Sequence, residues 1–172
     1  FWGYPVYDSD KNAKFIMSEN AGIKEQLRKE FGESIFIGEE IDRTCLADIV
    51  FRDSAKLGIL NNIVHGAVKE HFKAWCEQKP VPLVFIETAI LYESGLNELV
   101  DAEWRVYAPV DIRVERVVKR NSISEEKVLD RIKAQIYKPG EYDLKPPMTE
   151  LCNDGRKAVM PQLIEALMRC FQ

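Results

Sequence analysis

The segment Tyr4-Pro-Val-Tyr-Asp-Ser-Asp10 decides the fold, because it reads as a short strand that ends in two carboxylates. Pro5 suits the first position of a strand, since proline has no N–H to donate to a neighbouring strand. In an open α/β sheet, ligands bind at the carboxyl ends of the strands, so Asp8 and Asp10 are placed to meet a ligand. The alternative is that Asp8, Ser9 or Asp10 only caps the following helix in a solvated turn.

Three further strands are predicted along the chain, with helices between them. They are expected at residues 81–86, 102–108 and, more weakly, 149–152. A long helix is expected from Asp53 or Ser54 to about Glu77. Strands that alternate with helices predict an α/β protein, with a parallel sheet covered by helices on both faces. We expect a fifth strand upstream of Phe1, because Gly3 reads as the C-cap of a helix whose body is not in the chain.

Length and composition narrow the class of protein. The chain has 172 residues, 46% hydrophobic and 30% charged, which is typical of one globular domain. Its net charge of −4 gives no global field that favours nucleic acid. No apolar run approaches the length of a membrane span. The four cysteines are widely separated, a pattern that predicts reduced thiols and a cytoplasmic location. Oligomeric state is left open.

Two charged groups carry the candidate chemistry. Asp8 and Asp10 end one predicted strand, and Glu87 ends the next. An apolar strand that ends in an acidic residue is a Walker B pattern, in which the acid can hold Mg²⁺. Arg116 and Arg120 share one helix face with Arg113, where guanidinium groups could bind phosphate oxygens. The alternatives are acids that simply meet solvent and arginines that pair with nearby carboxylates.

Two histidines lie on the long predicted helix. His65 could hydrogen-bond a ligand, although a satisfied and partly buried side chain is the more common role. His71 is assigned no function. Several motifs are absent: no two glycines stand five apart, which excludes G-x-x-x-x-G-K-[ST], and neither G-x-G-x-x-G nor G-x-S-x-G occurs.

Taken in order, several segments resemble the dephospho-CoA kinase family, P-loop kinases that complete coenzyme A synthesis. The resemblance spans nearly the whole chain and rests on the order and spacing of motifs that are individually modest. The matching segments are Gly3-Tyr-Pro-Val-Tyr-Asp-Ser-Asp10, Asn62-Ile-Val-His65, Leu83-Val-Phe-Ile-Glu-Thr-Ala-Ile-Leu-Tyr-Glu93, Arg116 to Arg120, Arg131-Ile-Lys-Ala-Gln135 and Asn153-Asp-Gly155. Gly66 and Ala89 stand where the family usually has proline, and Glu87 replaces an aspartate.

The resemblance implies transfer of the ATP γ-phosphoryl group to the ribose 3′-hydroxyl of dephospho-CoA. Asp10 would orient that hydroxyl and accept its proton, while Arg116 and Arg120 would stabilise the transferred charge. Asp8 would help to hold Mg²⁺ or the acceptor ribose, and Glu87 would act on Mg²⁺ through water. The resemblance also implies that His65, Leu91 and Glu93 contact the acceptor. Arg131 and Gln135 would belong to the lid, and Asn153 and Gly155 would lie near the adenine.

The implied fold is a three-layer P-loop NTPase-like sheet with a helical lid. We expect one domain over residues 1–172, with a core at 1–20, 79–112 and 147–172, a helical acceptor subdomain at 21–78 and a lid at 113–146. The Walker A loop and first strand are expected upstream, and the chain as given would be inactive without them. Two other functions stay open: another small P-loop kinase of nucleosides or metabolites, and a binding module without activity.

Overall fold

The computed structural model describes residues 3–134 and 146–171, which form two compact units, Phe1–Leu96 and Asn97–Gln172. Helices and strands alternate as expected for an α/β protein. In chain order they are β1 (Val6–Asp8), α1 (Ser9–Glu19), α2 (Ala21–Phe31), a 3₁₀ turn (Glu33–Ile35), β2 (Phe36–Ile37), β3 (Glu40–Ile41), α3 (Arg43–Arg52), α4 (Ser54–Glu77), β4 (Phe85–Glu87), a 3₁₀ turn (Leu96–Leu99), β5 (Glu103–Tyr107), α5 (Val110–Asn121), α6 (Glu125–Ala134), β6 (Met148–Cys152) and α7 (Val159–Arg169).

The first unit is organised around a parallel pair of strands and the long helix α4. Strands β1 and β4 pair in parallel, with Asp8 opposite Glu87. Helices α1, α2 and α3 all pack against α4. Alternation along β1 turns Tyr7 inward, where its side chain is 1% exposed and its ring packs on Phe72 and Trp75. The neighbouring Asp8 therefore belongs to the opposite, exposed face of the strand.

The Tyr7 hydroxyl lies 2.8 Å from Nδ1 of His71, so the histidine that received no function at the sequence level joins β1 to α4. Burial, and secondarily the nearby Cys76 thiol, raises the pKa of Tyr7 to about 12. The phenol is therefore neutral and available for a hydrogen bond at physiological pH.

Strand β4 is shorter than the sequence predicted. The apolar run 81–86 was expected to be extended throughout, but only Phe85–Glu87 pairs with β1. Pro80 and Pro82 lack the N–H that a ladder requires, and the Val81 N–H donates to the Lys79 carbonyl at 2.8 Å in a local turn. The run is apolar enough for a buried strand, but its first two residues offer the ladder no free backbone donor.

The second unit contains the other parallel pair. Strands β5 and β6 run in parallel from Glu103 opposite Met148 to Tyr107 opposite Cys152, close to the predicted bounds. Helix α7 packs on β6. The Gln162 side chain accepts from the Cys152 N–H at 2.8 Å and donates to the Cys152 carbonyl at 3.1 Å. The Gln162 side chain therefore satisfies the backbone N–H and carbonyl of Cys152, the last residue of β6.

Acidic residues cap helices α1, α3 and α4. Of the two caps that the sequence left open for α4, the structure has Asp53, which accepts from the N–H groups of Ala55 and Lys56. At α1, where three residues were possible caps, the cap is Asp8, whose Oδ1 accepts from the Lys11 N–H at 2.9 Å. Asp10 lies in the first turn of that helix, and Ser9 is buried. The single-domain division predicted for residues 1–172 stays a prediction.

Candidate active site

The carboxyl ends of β1 and β4 open into a cavity of about 370 Å³, here called the strand-end cavity. Neighbouring parallel strands lie about 4.8 Å apart, so the register of Asp8 opposite Glu87 brings these two acids to the same edge. Asp10 joins them from the first turn of α1. The strand-end cavity is lined by Asp8, Asp10, Lys11, Lys14, Glu87, Thr88 and Ala89. The structure thus brings together the three carboxylates that the sequence predicted to be functional.

The two aspartates differ in what their side chains already bind. One oxygen of Asp8 is used as the helix cap. The carboxylate of Asp10 is exposed and makes no hydrogen bond or ion pair with any residue that the structure describes. A carboxylate in the first turn of a helix is also stabilised by the helix dipole. Asp10 is therefore the acid of the pair that is free to contact a ligand.

Two lysines in the strand-end cavity were missed at the sequence level. Lys11 and Lys14 lie on α1, are exposed, and line the cavity together with the acids. The spacing of four residues between Asp10 and Lys14 was a usable signal, because residues i and i+4 lie on one helix face. Cations beside carboxylates suit a site that receives phosphate oxygens and a metal ion together.

A second cavity of about 500 Å³ lies between α4 and the turn that follows β4, and is here called the helix–turn cavity. It contains His65 and Glu93, two of the residues predicted to contact the acceptor. Leu91 lines neither cavity; it is half-buried, and its carbonyl accepts from the Ser94 hydroxyl at 3.2 Å. The residues around the helix–turn cavity are Asn62, His65, Gly66, Lys69, Glu70, Tyr92, Glu93, Ser94 and Gly95.

The imidazole of His65 is held in its neutral form. Burial lowers the pKa of His65, the Lys69 ammonium lowers it further, and the Glu93 carboxylate acts weakly in the opposite direction. A half-buried neutral imidazole offers one donor and one acceptor. His65 is therefore suited to a hydrogen bond with a polar ligand.

In the second unit, one arginine of α5 is bonded to the turn after β6. The Nη1 of Arg116 donates to the Asn153 carbonyl at 2.8 Å, and a Cβ added to Gly155 would lie 3.6 Å from its Nη2. Gly155 has a φ of +78°, which favours glycine. The sequence did not reveal this contact, because its partners are 37 residues apart.

The other predicted basic residues have fewer contacts. Arg120 is exposed and its Nε donates to the Asn121 side chain at 3.0 Å. Arg131 is exposed in the last turn of α6. Gln135, predicted to belong to the lid, lies outside the described residues. The ion pairs of the alternative interpretation, in which carboxylates neutralise Arg116 and Arg120, are not found within residues 3–134 and 146–171.

Within the part of the chain that the structure describes, no helix is long and apolar enough to cross a membrane. Nor do any three His, Cys, Asp or Glu side chains there form a group that could hold a metal ion alone. The strand-end cavity can offer carboxylate oxygens and ammonium groups to a phosphorylated ligand and its counterion, whereas the helix–turn cavity offers hydrogen-bond donors.

Solved structures with the same architecture identify the class. The crystal structure of TT1252 from Thermus thermophilus aligns with a TM-score of 0.73 at 32% sequence identity, covering 99% of this chain and 84% of that one. Dephospho-CoA kinase from Campylobacter jejuni aligns with a TM-score of 0.61 at 19% identity, covering 98% and 86%, and this likeness concerns the fold alone. The chain has a P-loop NTPase-like α/β fold, which confirms the predicted fold class.

Sequence comparisons define the family. The family model for dephospho-CoA kinase matches residues 1–145. The dephospho-CoA kinase of Bacteroides fragilis is 36% identical over 171 residues, covering 99% of this chain and 82% of the relative. That of Thermus thermophilus is 33% identical over 167 residues, covering 97% and 79%. The chain belongs to the dephospho-CoA kinase family, as the resemblance predicted. The other functions left open by the sequence are not favoured.

Proposed function

We propose that this protein is an ATP-dependent kinase that phosphorylates dephospho-CoA in the last step of coenzyme A synthesis. The ribose 3′-oxygen of the acceptor forms a bond to the γ-phosphorus of ATP. The bond from that phosphorus to the β,γ-bridging oxygen breaks, ADP leaves, and the hydroxyl proton passes to the protein. The observation that carries this proposal is the meeting of Asp8, Asp10 and Glu87 in one cavity at the ends of paired parallel strands.

Asp10 is the residue that accepts the proton. Its carboxylate is exposed in the strand-end cavity and is not used as the helix cap. An aligned carboxylate orients the acceptor hydroxyl and takes its proton as the oxygen bonds to phosphorus. Asp8, with one oxygen already used by the Lys11 N–H, orients the acceptor ribose or a metal-bound water through its other oxygen. Lys11 and Lys14 bind phosphate oxygens.

The strand-end cavity also fits Mg²⁺. This ion needs no cage of protein ligands, because in kinase sites it takes one or two carboxylates, several waters and the phosphates of the nucleotide. The absence of a three-ligand group among the described residues is consistent with such a site. Glu87 would hold the ion through water, with Asp8 beside it. A bound ion would supply positive charge that neutralises the charge developing on the phosphoryl group during transfer.

The ATP side is carried by the second unit. The hydrogen bond from Arg116 to Asn153 supports a role for both residues, with Gly155, in binding the nucleotide. Arg120 is exposed one helical turn further along α5 and stabilises the transferred phosphoryl group. Arg131 and Gln135 close over the nucleotide as lid residues; this assignment rests on the family resemblance.

A cytoplasmic location follows from the same proposal. All four cysteines are free thiols in the structure, which supports a reducing compartment. The acidic net charge of −4 supports small-molecule substrates rather than nucleic acid as partners.

The proposal is tested by an acceptor panel with the full-length protein. The wild type is supplied with ATP and Mg²⁺ and, in turn, dephospho-CoA, adenosine, other nucleosides and pantothenate, and ³¹P NMR maps the new phosphate. We expect a 3′-phosphate on dephospho-CoA, with kcat/KM roughly 100-fold or more above that of the other acceptors. A preference for a nucleoside or pantothenate would assign a different kinase. Binding of dephospho-CoA without transfer would indicate a binding module.

A further inference from the structure

The side chain of Gln162 bonds both ends of the turn that follows β6. Its Oε1 accepts from the Cys152 N–H at 2.8 Å, and its Nε2 donates to the carbonyls of Cys152 at 3.1 Å and Ala158 at 3.0 Å. A primary amide has two N–H donors and one carbonyl acceptor, so both of its hydrogens and its oxygen are used. A single side chain therefore closes residues 153–157 into a loop.

Gln162 can reach both ends because of its place in α7. The helix begins after Ala158, whose side chain has no polar group that could cap it. Helical side chains lean toward the N-terminus of their helix, so Gln162, four residues after Ala158, extends back over the first turn. There its half-buried amide meets Cys152 at the end of β6. The strand and the helix are thus joined across the turn by one amide.

Further bonds fix the backbone inside the turn. The Oδ1 of Asp154 accepts from the N–H groups of Arg156 and Lys157, both at 2.8 Å. These bonds, the one from Lys157 foremost, lower the pKa of Asp154, so the carboxylate stays charged and keeps accepting. Gly155, between the carboxylate and its donors, has the positive φ already described. The turn therefore has one defined shape, provided that its two ends are held in place.

Three elements of the second unit hold this turn. The Asn153 N–H donates to the Tyr107 carbonyl of β5 at 2.8 Å, and the Asn153 carbonyl accepts from Arg116 of α5 at 2.8 Å. Gln162 adds the attachment to α7. Asn153 and Gly155 are exposed, and they are the residues of the turn that the proposed function assigns to the nucleotide. Gln162 lies behind them, at the base of the turn.

We propose that Gln162 is a positioning residue for ATP, which holds the turn after β6 in the conformation that binds the nucleotide. This inference rests on the proposed function, because it takes Asn153 and Gly155 as nucleotide-binding residues. A turn that is ordered beforehand loses little conformational freedom when its ligand binds. Without the three bonds of Gln162, the apparent affinity for ATP falls in proportion to the fraction of molecules in which the turn keeps its shape.

The test uses two variants of the full-length protein. Gln162→Met keeps the length of the side chain without its bonds, and Gln162→Glu keeps its shape but, when ionised, has no N–H to donate. Calorimetry gives Kd for ATP and for dephospho-CoA, and kinetics gives kcat and both KM values, at a temperature where every variant is folded. We expect both variants to raise Kd and KM for ATP roughly 10-fold, the scale of one or two neutral hydrogen bonds. The kcat and the values for dephospho-CoA should stay within about two-fold of wild type.

Leu167→Ala is the matched control, because Leu167 is half-buried further along α7 and makes no bond to the turn. It should lower the melting temperature while Kd for ATP stays the same. An unchanged Kd for ATP in Gln162→Met, an equal loss of affinity for both substrates, or the same loss in Leu167→Ala would overturn the inference.

The two proposals fail separately, because calorimetry with ATP needs no turnover. A wild type that binds ATP but does not phosphorylate dephospho-CoA overturns the proposed function, and the weaker ATP binding of Gln162→Met would still support the positioning role. A wild type that phosphorylates dephospho-CoA, with ATP binding unchanged in Gln162→Met, overturns the positioning role alone. A wild type that does not bind ATP overturns both.

Discussion

The strand-end cavity and the helix–turn cavity are built in different ways. In the strand-end cavity, exposed acids and lysines are placed by backbone topology, at the ends of two paired parallel strands and the helix that follows. In the helix–turn cavity, a half-buried histidine and a lysine come from one helix, and the tip of the lysine lies against a glycine of positive φ. Topology positions groups that a reaction needs together, whereas packing shapes a surface that recognises a substrate.

This difference separates two kinds of effect. Changes in the strand-end cavity should lower kcat while acceptor affinity stays the same, because its groups act on the reacting atoms. Changes in the helix–turn cavity should weaken acceptor binding. The predictions below test this separation in the full-length protein.

The largest effect is expected for Asp10→Asn. Asparagine keeps the shape of the side chain but cannot accept the proton, so we expect kcat for dephospho-CoA to fall by roughly 10²–10⁴-fold. The melting temperature should fall only slightly, through the loss of a first-turn charge, because Asp8 and not Asp10 is the helix cap. Asp111→Asn is the control, since Asp111 is an exposed acid in the first turn of another helix. A variant within a few-fold of wild-type turnover would remove Asp10 from the mechanism.

The arginines of α5 extend the comparison of the two cavities. They test whether exposed side chains also stabilise the charge on the transferred phosphoryl group. We expect Arg120→Ala to lower kcat by roughly 10²–10³-fold. Arg116→Ala should raise KM for ATP as well, because this side chain bonds the turn at Asn153. Arg113→Ala is the control on the same helix. Equal changes in all three variants, accompanied by lower melting temperatures, would mark the arginines as structural.

Tyr7 tests the packed side of β1, opposite the catalytic acids. Tyr7→Phe removes the hydroxyl that bonds His71, so we expect a loss of about 1–3 kcal/mol in the free energy of unfolding, with kcat retained. The raised pKa of Tyr7 favours folding below pH 10, and this contribution of about 3 kcal/mol disappears as the pH rises from 10 to about 12. The free energy of unfolding, measured with denaturant across that pH range, should fall less steeply for Tyr7→Phe than for the wild type. Identical alkaline profiles would contradict the assignment.

The smallest effect is expected for His65→Gln. The lowered pKa of His65 means that the unfolded chain binds a proton more readily, so wild-type stability falls as the pH drops below 6.5. His65→Gln should make the acid side of the stability profile shallower. It should also raise KM for dephospho-CoA about five-fold, the scale of one neutral hydrogen bond. An unchanged acid profile would show that His65 is solvated.

The parts of the fold that follow from local chemistry could be predicted from the sequence. The start of α4 was predicted because Asp53 and Ser54, both possible caps, precede a long apolar stripe. The acids of the strand-end cavity could be found because Asp8 and Glu87 each end a short apolar run and Asp10 lies two residues after Asp8. The predicted length of β4 was wrong, because it was inferred from the apolar side chains and took no account of the N–H donors that Pro80 and Pro82 lack.

The remaining features depend on contacts between distant residues. The bond from Arg116 to Asn153 depends on how α5 meets the turn after β6. The approach of Lys69 to Gly95 depends on packing between α4 and a turn 26 residues later in the chain. Tyr7 and His71 are 64 residues apart. No local pattern encodes such pairs, because each partner alone has an ordinary sequence context.

The affinity of the Asp10→Asn variant for the acceptor tests most directly whether one cavity carries the chemistry and the other recognises the acceptor. Calorimetry with dephospho-CoA gives its Kd for the same preparation in which turnover is measured. The account predicts a Kd within about two-fold of wild type together with the loss of phosphoryl transfer, because recognition lies in the helix–turn cavity. A Kd raised by about ten-fold or more would contradict it and show that Asp10 binds the acceptor rather than acting on its proton.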